Sequence, residues 1–373
     1  MASRDLALTS LPLEILRLIV DNLPRFDLFS VRLLSKTFAA VAAERLFHSI
    51  PLWMHSSSLQ AITHLSHNST LRKYVRHIVF STLRVRDHHD EKVYLSGVKK
   101  HLEMQTDSMS LGALKYGQHK KAYHAALEDQ EYLMKGALDV KILTRAFREF
   151  SNLKELTIDD RNCHIGCRQL IRDFGSFISA DLLTCNGMDT LPSLIQALSE
   201  AGVQLSHLTI GWENVFDTIE TPNLLEMGDP RPSYIKGLCS NAMTTAIFDL
   251  ETIAPVRRLL SEVQTLEISD LSVKDDKSDL LRMARAIKRL IQFTFKLESV
   301  AIKEICSEIF MTDMQPLSVE DLFCVRTGPQ SLRIVTLSNL TITNHLVLVS
   351  FIKRQAAFLK VVYFNFFSLE DVK

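Results

Sequence analysis

The chain has 373 residues, a length typical of two or three domains. Its 43 Lys and Arg residues balance its 43 Asp and Glu residues, so no net positive field is available to attract nucleic acid or an anionic membrane. With 46% hydrophobic and 23% charged residues, the composition indicates a folded protein with a sizeable core rather than a disordered chain. We therefore expect neither nucleic acid nor a membrane among its partners.

Cysteine content and hydropathy predict the compartment. Six cysteines in a chain of this length lack the density of a disulfide framework. The first residues carry no uninterrupted apolar stretch of the kind that a secretory signal needs, and no stretch of 18 residues is both apolar and free of charge. By elimination, we expect a protein of the cytoplasm, the nucleus or both.

The N-terminal segment predicts three short helices. Ser10, Asp27 and Ser35 are each placed to cap the first turn of one helix. Pro12 is tolerated in the first turn, and Pro24 ends the first helix. Apolar residues recur at three- and four-residue spacing in each segment, as in helices with one buried face. Because about forty residues bury only a small core, we expect this module to dock onto another domain or protein.

The same segment resembles an F-box. The matching residues are Leu11-Pro12-x-Glu14-Ile15-Leu16, Ile19, Leu23-Pro24, Asp27-Leu28 and Val31-Arg32-Leu33-Leu34-Ser35-Lys36. Phe38 stands where the family pattern more often has Trp, which retains an aromatic side chain in the same helical register. The alternative interpretation is a generic three-helix bundle of the same length.

The resemblance implies that residues 8–53 form an F-box domain and bind the small Skp-type adaptor of Skp–cullin–F-box ubiquitin ligases. Transferred position by position, the adaptor-facing residues would be Leu11, Pro12, Ile15, Leu16, Ile19, Leu23, Leu28, Val31, Leu34 and Phe38. Some of these side chains must instead hold the three helices together. The sequence alone does not separate the two groups.

Residues 54–373 carry a different, repeated pattern. The spacing φ-x-x-φ-x-φ, where φ is apolar, is typical of a half-buried strand and occurs seven times. The repeats begin at Val75, Leu153, Leu205, Val263, Leu297, Leu332 and Leu359. Helical patterns precede four of them, at residues 140–150, 192–201, 278–295 and 344–358. Alternation of strands and helices favours parallel strands with the helices on the outer face.

These units are similar to the leucine-rich C-terminal regions of fungal F-box proteins. The prediction is therefore an α/β solenoid of irregular leucine-rich repeats, with parallel strands and outer helices, preceded by the small all-α F-box domain. Irregular spacing leaves one alternative open, an α/β domain with a closed or doubly wound parallel sheet. No polar cap is visible after the last predicted strand.

Two polar stretches interrupt the repeats, at about residues 84–136 and 212–237. Because insertions in solenoids often form the binding surface, we hypothesise that they determine which target protein is bound. A solvated insertion without a function is the alternative for each.

Motifs for catalysis or for binding cofactors are missing from the sequence. It contains no phosphate-binding glycine loop, no G-x-S-x-G and no H-E-x-x-H. Cys163-His164-x-x-Cys167 and His88-His89-Asp90-Glu91 are possible metal ligands, but a repeat turn and a solvated run explain them better. We therefore expect no metal, no cofactor and no catalytic residue.

The predicted function is that of a substrate-receptor subunit. The F-box would bind the Skp-type adaptor and through it a cullin, and the leucine-rich region would bind a target protein that the sequence does not identify. One alternative is a scaffold that binds the adaptor without cullin and without ubiquitination. Another is an enzyme on an α/β fold, which would need a pocket of titratable groups.

Overall fold

The structure is a computed structural model of the chain. It describes residues 11–87, 109–159, 164–174, 183–185, 187–211, 254–269, 272–273, 277–303, 306–307, 322, 331–338, 341–342, 345–365 and 368–369. Two hydrophobic cores lie within these residues, a small one in the N-terminal helices and a larger one beneath a parallel sheet.

Three helices form the N-terminal module: α1 (Leu13–Asp21), α2 (Arg25–Val31) and α3 (Lys36–Leu46). Both α1 and α2 pack on α3. The fully buried core side chains are Leu16, Val20, Leu28, Phe38, Val41, Ala42 and Leu46. With so few buried side chains, the module has a core of the small size that the sequence predicts.

The starts of two of these helices differ from the prediction. Pro12 and Pro24, not Ser10 and Asp27, stand immediately before the first helical residue, and neither provides a side-chain cap. Asp27 lies in the first turn of α2, where a carboxylate is favourable beside the helix N-terminus, and Ser10 is outside the described residues. Ser35 does cap α3, since its Oγ accepts the backbone N–H three residues later at 3.2 Å.

Strands and helices then alternate along the chain. In order they are β1 (Ser49–Trp53), α4 (Ser56–His67), β2 (His77–Ser81), β3 (Leu83–Val85), α5 (Met109–Met134), α6 (Leu138–Glu149), β4 (Glu155–Asp159), α7 (His164–Phe174), β5 (Leu183–Cys185), α8 (Gly187–Glu200), β6 (His207–Ile210), α9 (Ala254–Leu260), β7 (Thr265–Ser269), β8 (Ser272–Val273), α10 (Lys277–Phe293), β9 (Ser299–Lys303), β10 (Cys306–Ser307), β11 (Ile334–Ser338), β12 (Thr341–Ile342), α11 (His345–Gln355), β13 (Val361–Asn365) and β14 (Ser368–Leu369).

Eight strands form one sheet in the order β1-β2-β4-β6-β7-β9-β11-β13, and every neighbouring pair is parallel. The spatial order therefore follows the chain without reversal. A doubly wound sheet would reverse its order, and a closed sheet would pair β1 with β13, so neither alternative describes this sheet. Three short two-stranded pairings, β3 with β5, β8 with β10 and β12 with β14, lie beside it.

All seven strands predicted from the repeated spacing are confirmed in this sheet. The eighth strand, β1, lies inside the segment 8–53 that was predicted as purely helical. The spacing Phe47-x-x-Ile50-x-Leu52 matches the repeat, but it follows α3 so closely that the helical pattern conceals it. The helices of the N-terminal module consequently end at Leu46, and the sheet begins three residues later.

Side chains of one face of the sheet form the larger core. They fall in two columns, Ile50, Ile78, Leu156, Leu208, Leu266, Val300, Val335 and Val362, and Leu52, Phe80, Ile158, Ile210, Ile268, Ile302 and Leu337. The exposed Phe364 continues the second column on β13. Helices α4, α6, α8, α9 and α10 pack beside one another in chain order. Helix α8 begins at Gly187, earlier than predicted, with Pro192 inside it.

A backbone motif repeats at the start of every strand of the eight-stranded sheet after β1. Two successive N–H groups donate to one carbonyl of the preceding unit, with N···O distances of 2.7 to 3.2 Å. The seven acceptor carbonyls belong to His48, Arg76, Lys154, Ser206, Gln264, Glu298 and Arg333. Each unit is thus fastened to its neighbour in the same way, although the segments between them differ in length.

Of the stretch at residues 84–136, the structure describes residues 84–87 and 109–136. These include the end of β3 and the whole of α5, which packs on the rest of the chain. The Gln130 amide donates to the carbonyl of Val85 at 3.0 Å and accepts its N–H at 2.8 Å. The stretch at 212–237 lies outside the described residues. Of the helices that the structure describes, none has the length and hydropathy to cross a membrane.

Candidate protein-binding site

The N-terminal module divides the ten predicted adaptor-facing residues into three groups. Leu16, Leu28 and Phe38 are buried inside its own core and hold the helices together. Leu11, Ile19, Leu23 and Val31 are half-buried. Pro12, Ile15 and Leu34 are exposed. The structure therefore separates core from surface, which the spacing of the apolar residues could not do.

Further large apolar side chains are exposed on this module and were not predicted as surface. Leu33 is 86% exposed, the highest value among the exposed large apolar residues of the described chain. Together the exposed large side chains are Leu13, Ile15, Leu18, Phe29, Leu33 and Leu34, and we call them the N-terminal apolar surface. Six exposed large apolar side chains on one small module make it a candidate protein-interaction site. Of these six residues, Ile15 and Leu34 were among the predicted adaptor-facing residues, and the other four were not.

The face of the sheet that points away from α4, α6 and α8 is covered at its N-terminal end. Here Trp53, Val79, Ser81 and Thr157 are all buried, although they belong to the outward columns of β1, β2 and β4. Helix α7 contacts β1. At its kink Gly166 adopts a φ of +90°, and a Cβ there would lie 2.6 Å from the Trp53 ring. Only glycine fits this approach.

A buried histidine connects three strands under this cover. His77 Nδ1 lies 3.1 Å from Ser49 Oγ, and its Nε2 lies 2.8 Å from Thr157 Oγ1. Burial, together with the neighbouring His48 and His207, lowers the pKa of His77 to about 4. These two partners are uncharged hydroxyl groups, which suit a neutral imidazole. His77 is thus a structural, uncharged residue at neutral pH.

The outward face is more open from β6 to β11. Its side chains are His207, Thr209, Thr265, Glu267, Ser269, Ser299, Ala301, Lys303, Ile334, Thr336 and Ser338, and we call them the open sheet face. His207 and Ile334 are exposed, Ser269 is buried and the others are half-buried. Its Glu267 and Lys303 form an ion pair at 2.5 Å, so the face carries little net charge. Hydroxyl groups are its commonest polar groups, and each can both donate and accept a hydrogen bond.

One Ser–His–Asp arrangement is structural. His55 stacks on Trp53 with a centroid distance of 4.5 Å, and its Nε2 lies 3.8 Å from Asp129. Its Nδ1 accepts the backbone N–H of Ser57 at 3.2 Å, which caps α4. The Asp129 carboxylate accepts the N–H of Ser56 at 3.0 Å and its hydroxyl as well. These groups satisfy the amides at a helix start.

The side chains of the two possible metal-binding motifs are not among those that the structure describes. Cys163 and residues 88–91 lie outside the part of the chain that the structure describes, as does the side chain of Cys167. Among the residues that it does describe, no three His, Cys, Asp or Glu side chains come together as a metal site.

Comparison with known families matches residues 8–49 to the F-box domain. This match supports an F-box domain in the chain, and F-box domains bind Skp-type adaptors in Skp–cullin–F-box ubiquitin ligases. Proteins with this domain are typically non-catalytic substrate adaptors. No curated protein matches the chain. The matched residues comprise α1 to α3 and reach the first residue of β1, so the sheet lies almost wholly outside the match.

Proposed function

We propose that the chain is the non-catalytic substrate-receptor subunit of a Skp–cullin–F-box ubiquitin ligase, and that it binds the Skp-type adaptor through the N-terminal apolar surface. The exposure of this surface on the matched module is the single observation that carries the proposal. Burying one leucine of this kind stabilises a complex by about 1.5 to 3 kcal/mol.

The adaptor contacts are proposed for a subset of the residues considered at the start. Pro12, Ile15 and Leu34 remain adaptor-facing, and Leu13, Leu18, Phe29 and Leu33 join them because they are exposed. Leu11, Ile19, Leu23 and Val31 contribute their exposed portions. Leu16, Leu28 and Phe38 act indirectly, because they keep the three helices in place.

We infer that the region after the F-box is a solenoid of irregular leucine-rich repeats. The sequential strand order, the helices on one face and the identical backbone fastening of successive units support this interpretation. Each unit would bury its apolar residues only against its neighbours. The different segment lengths would then reflect insertions within a regular stack.

The open sheet face is the surface that we propose for the target protein. Its hydroxyl groups and the ion pair between Glu267 and Lys303 favour a neutral, hydrogen-bonding segment over a phosphorylated one, since phosphate recognition relies on clustered arginine. The contribution of the chain to ubiquitin transfer would be proximity. It would hold a target lysine near the ubiquitin-conjugating enzyme and raise the effective concentration.

A short, packed joint would keep the adaptor and the target in a fixed relation. Phe47 contacts the cores of both the N-terminal module and the sheet. The Arg32 guanidinium lies 5.7 Å from the centre of its ring, and Arg25 donates to the carbonyl of Leu46 at 3.1 Å. Such a joint suits a receptor that must position its target.

A binding measurement with purified Skp-type adaptor tests this proposal. The double variant Leu33→Asp, Leu34→Asp places two charges on the proposed interface and should weaken adaptor binding at least about 100-fold. Its thermal unfolding should be unchanged, because both side chains are exposed. The matched control is Phe295→Asp, at an apolar residue that is 70% exposed and lies outside the F-box. Equal adaptor affinity for the double variant, the control and the unaltered chain would refute the proposal.

A further inference from the structure

The outer edge of β13 differs from the rest of the core. Phe364 occupies the same column as seven other apolar side chains, each of which is at most 1% exposed, whereas Phe364 is 43% exposed. Those seven residues are Leu52, Phe80, Ile158, Ile210, Ile268, Ile302 and Leu337. The column begins with Leu52 on the opposite edge strand, β1, so position at an edge does not by itself explain the exposure.

The last helix and strand expose further apolar side chains. Leu346 and Val349 on α11 are 63% and 40% exposed, and Phe358 and Tyr363 are 51% and 60% exposed. Other residues of α11, such as Phe351, are buried against the core. The helix therefore has apolar residues on an outward face as well as an inward one. We call the residues from α11 to β13 the terminal layer.

Backbone groups at this edge are placed to accept another strand. Within the described residues, β13 pairs with one strand, β11. The N–H of Val361 points toward β11 and donates to the carbonyl of Arg333 at 3.0 Å. Because successive residues of a strand direct their N–H groups to opposite sides, the N–H of Val362 points to the open side. Exposed strand edges are templates for an added strand.

The charge of this part of the chain favours an acidic occupant. Residues 331–365 contain no Asp or Glu, and Glu370 and Asp371 follow them in the sequence. Lys353 and Lys360 are both exposed and lie where α11 ends and β13 begins. A second copy of the chain would bring like charges together at this edge, which is unfavourable. An acidic partner would be attracted to it.

We propose that the terminal layer binds an extended, acidic and apolar segment of a partner protein, which adds a strand beside β13. The segment's apolar side chains would cover Phe364, and its acidic end would lie beside Lys360. The backbone of Val362 would supply hydrogen bonds, and the alternating side chains would supply selectivity. This surface is distinct from both the N-terminal apolar surface and the open sheet face, so the proposal does not depend on adaptor binding.

Binding of short synthetic peptides to the full chain tests the proposal. The probes are ten-residue fluorescent peptides of alternating Val and Thr with three acidic residues at one end or at the other. Peptides with Lys in place of the acidic residues are the controls. We expect one acidic peptide to bind saturably, and at least about tenfold more tightly than its Lys counterpart. Equal binding of the acidic and Lys peptides would overturn the proposal.

Two variants locate the binding at this edge. Val362→Pro removes the outward N–H without removing a bond to β11, and proline is tolerated at such edge positions. Lys360→Glu reverses a charge. Each should weaken binding of the acidic peptide by roughly tenfold. The matched control is Lys154→Glu, since Lys154 is exposed at the same register position before β4, a strand with neighbours on both sides. It should leave peptide binding unchanged.

The oligomeric state and adaptor binding complete the test. We expect the chain to sediment as a monomer, because two copies do not associate through this edge. A dimer that Val362→Pro abolishes would overturn the proposal in favour of a second copy. Adaptor affinity should be the same for all three variants, so failure of peptide binding is distinguishable from failure of the F-box proposal. If Val362→Pro unfolds the chain, Lys360→Glu against Lys154→Glu still decides the outcome.

Discussion

His77 shows how a single polar residue can be built into an apolar stack. It is 5% exposed, and hydroxyl groups from two neighbouring strands, Ser49 and Thr157, meet its two ring nitrogens. A charged imidazole would be costly in this position, because burial removes the water that stabilises the charge. The protonation of this imidazole depends on pH, and the stability of the N-terminal part of the sheet therefore depends on pH as well.

Acid should destabilise the chain through His77. Its pKa is about 4 in the folded chain and 6.5 as the ordinary value. Between these two pH values the unfolded chain binds a proton that the folded chain excludes, so the free energy of unfolding falls as the pH falls. Above pH 6.5 the residue contributes no pH dependence. The loss between pH 7 and pH 4 should be on the order of 3 kcal/mol.

Urea unfolding of the unaltered chain and of His77→Gln measures this loss. The Gln amide retains a donor and an acceptor but does not titrate. The difference in unfolding free energy between the two proteins should change over pH 4 to 6.5 and stay constant above it. A difference that is independent of pH over the whole range would show that His77 does not titrate as described.

Substitutions at two glycines with positive φ allow the cost of backbone strain to be compared with the cost of a steric clash. Gly202 has a φ of +73°, and no atom lies within 4 Å of the position that a Cβ would occupy there. At Gly211, with a φ of +120°, a Cβ would lie 1.8 Å from the Ser269 carbonyl oxygen. Gly202→Ala should cost about 1 to 2 kcal/mol of unfolding free energy. Gly211→Ala should cost clearly more, because a backbone atom obstructs it. Equal costs in thermal unfolding would refute the close approach of β6 and β7.

At the scale of elements, the strands were predictable and the packing of the intervening segments was not. Each strand places two apolar residues in the two columns of the core face. The same apolar spacing therefore recurs in the sequence of every unit. The position of α5 depends instead on contacts between residues far apart in sequence. Asp129 caps α4 through Ser56, 73 residues away, and no local pattern carries that information.

The same limit applies within the N-terminal module. Helical spacing identifies which residues are apolar on each helix, but several leucines lie close together in sequence. Which of them face inward depends on how the three helices cross. Thus Leu16 and Leu28 are buried whereas Leu33 and Leu34 are exposed. The module was predictable from its sequence, whereas the surface that it offers required the packed structure.

Removing the Asp129 carboxylate should loosen α5. Asp129→Ala leaves the backbone N–H of Ser56, at the start of α4, without its acceptor. This loss should lower the free energy of unfolding by about 1 to 2 kcal/mol. Amide hydrogen exchange should quicken at the start of α4 and in the adjoining turns of α5. The control is Glu128→Ala, an exposed neighbour on the same helix, which should leave exchange unchanged. If both variants exchange alike, α5 is not anchored by this contact.

At the scale of the whole molecule, the chain presents separate surfaces on one continuous framework. The N-terminal apolar surface lies on α1, α2 and the turn after α2, and the open sheet face spans β6 to β11. Phe47 joins their two cores. This arrangement suits a receptor whose adaptor and target must be held at the same time.

Assembly of the chain with purified Skp-type adaptor and cullin tests the central claim most directly. The three proteins should elute from size exclusion as one complex, with the chain retained through the adaptor. The variant Leu33→Asp, Leu34→Asp should elute apart from both partners, whereas Phe295→Asp should behave as the unaltered chain. A chain that retains the adaptor but excludes cullin would contradict the receptor function and favour a scaffold. A chain that retains neither protein would contradict adaptor binding itself.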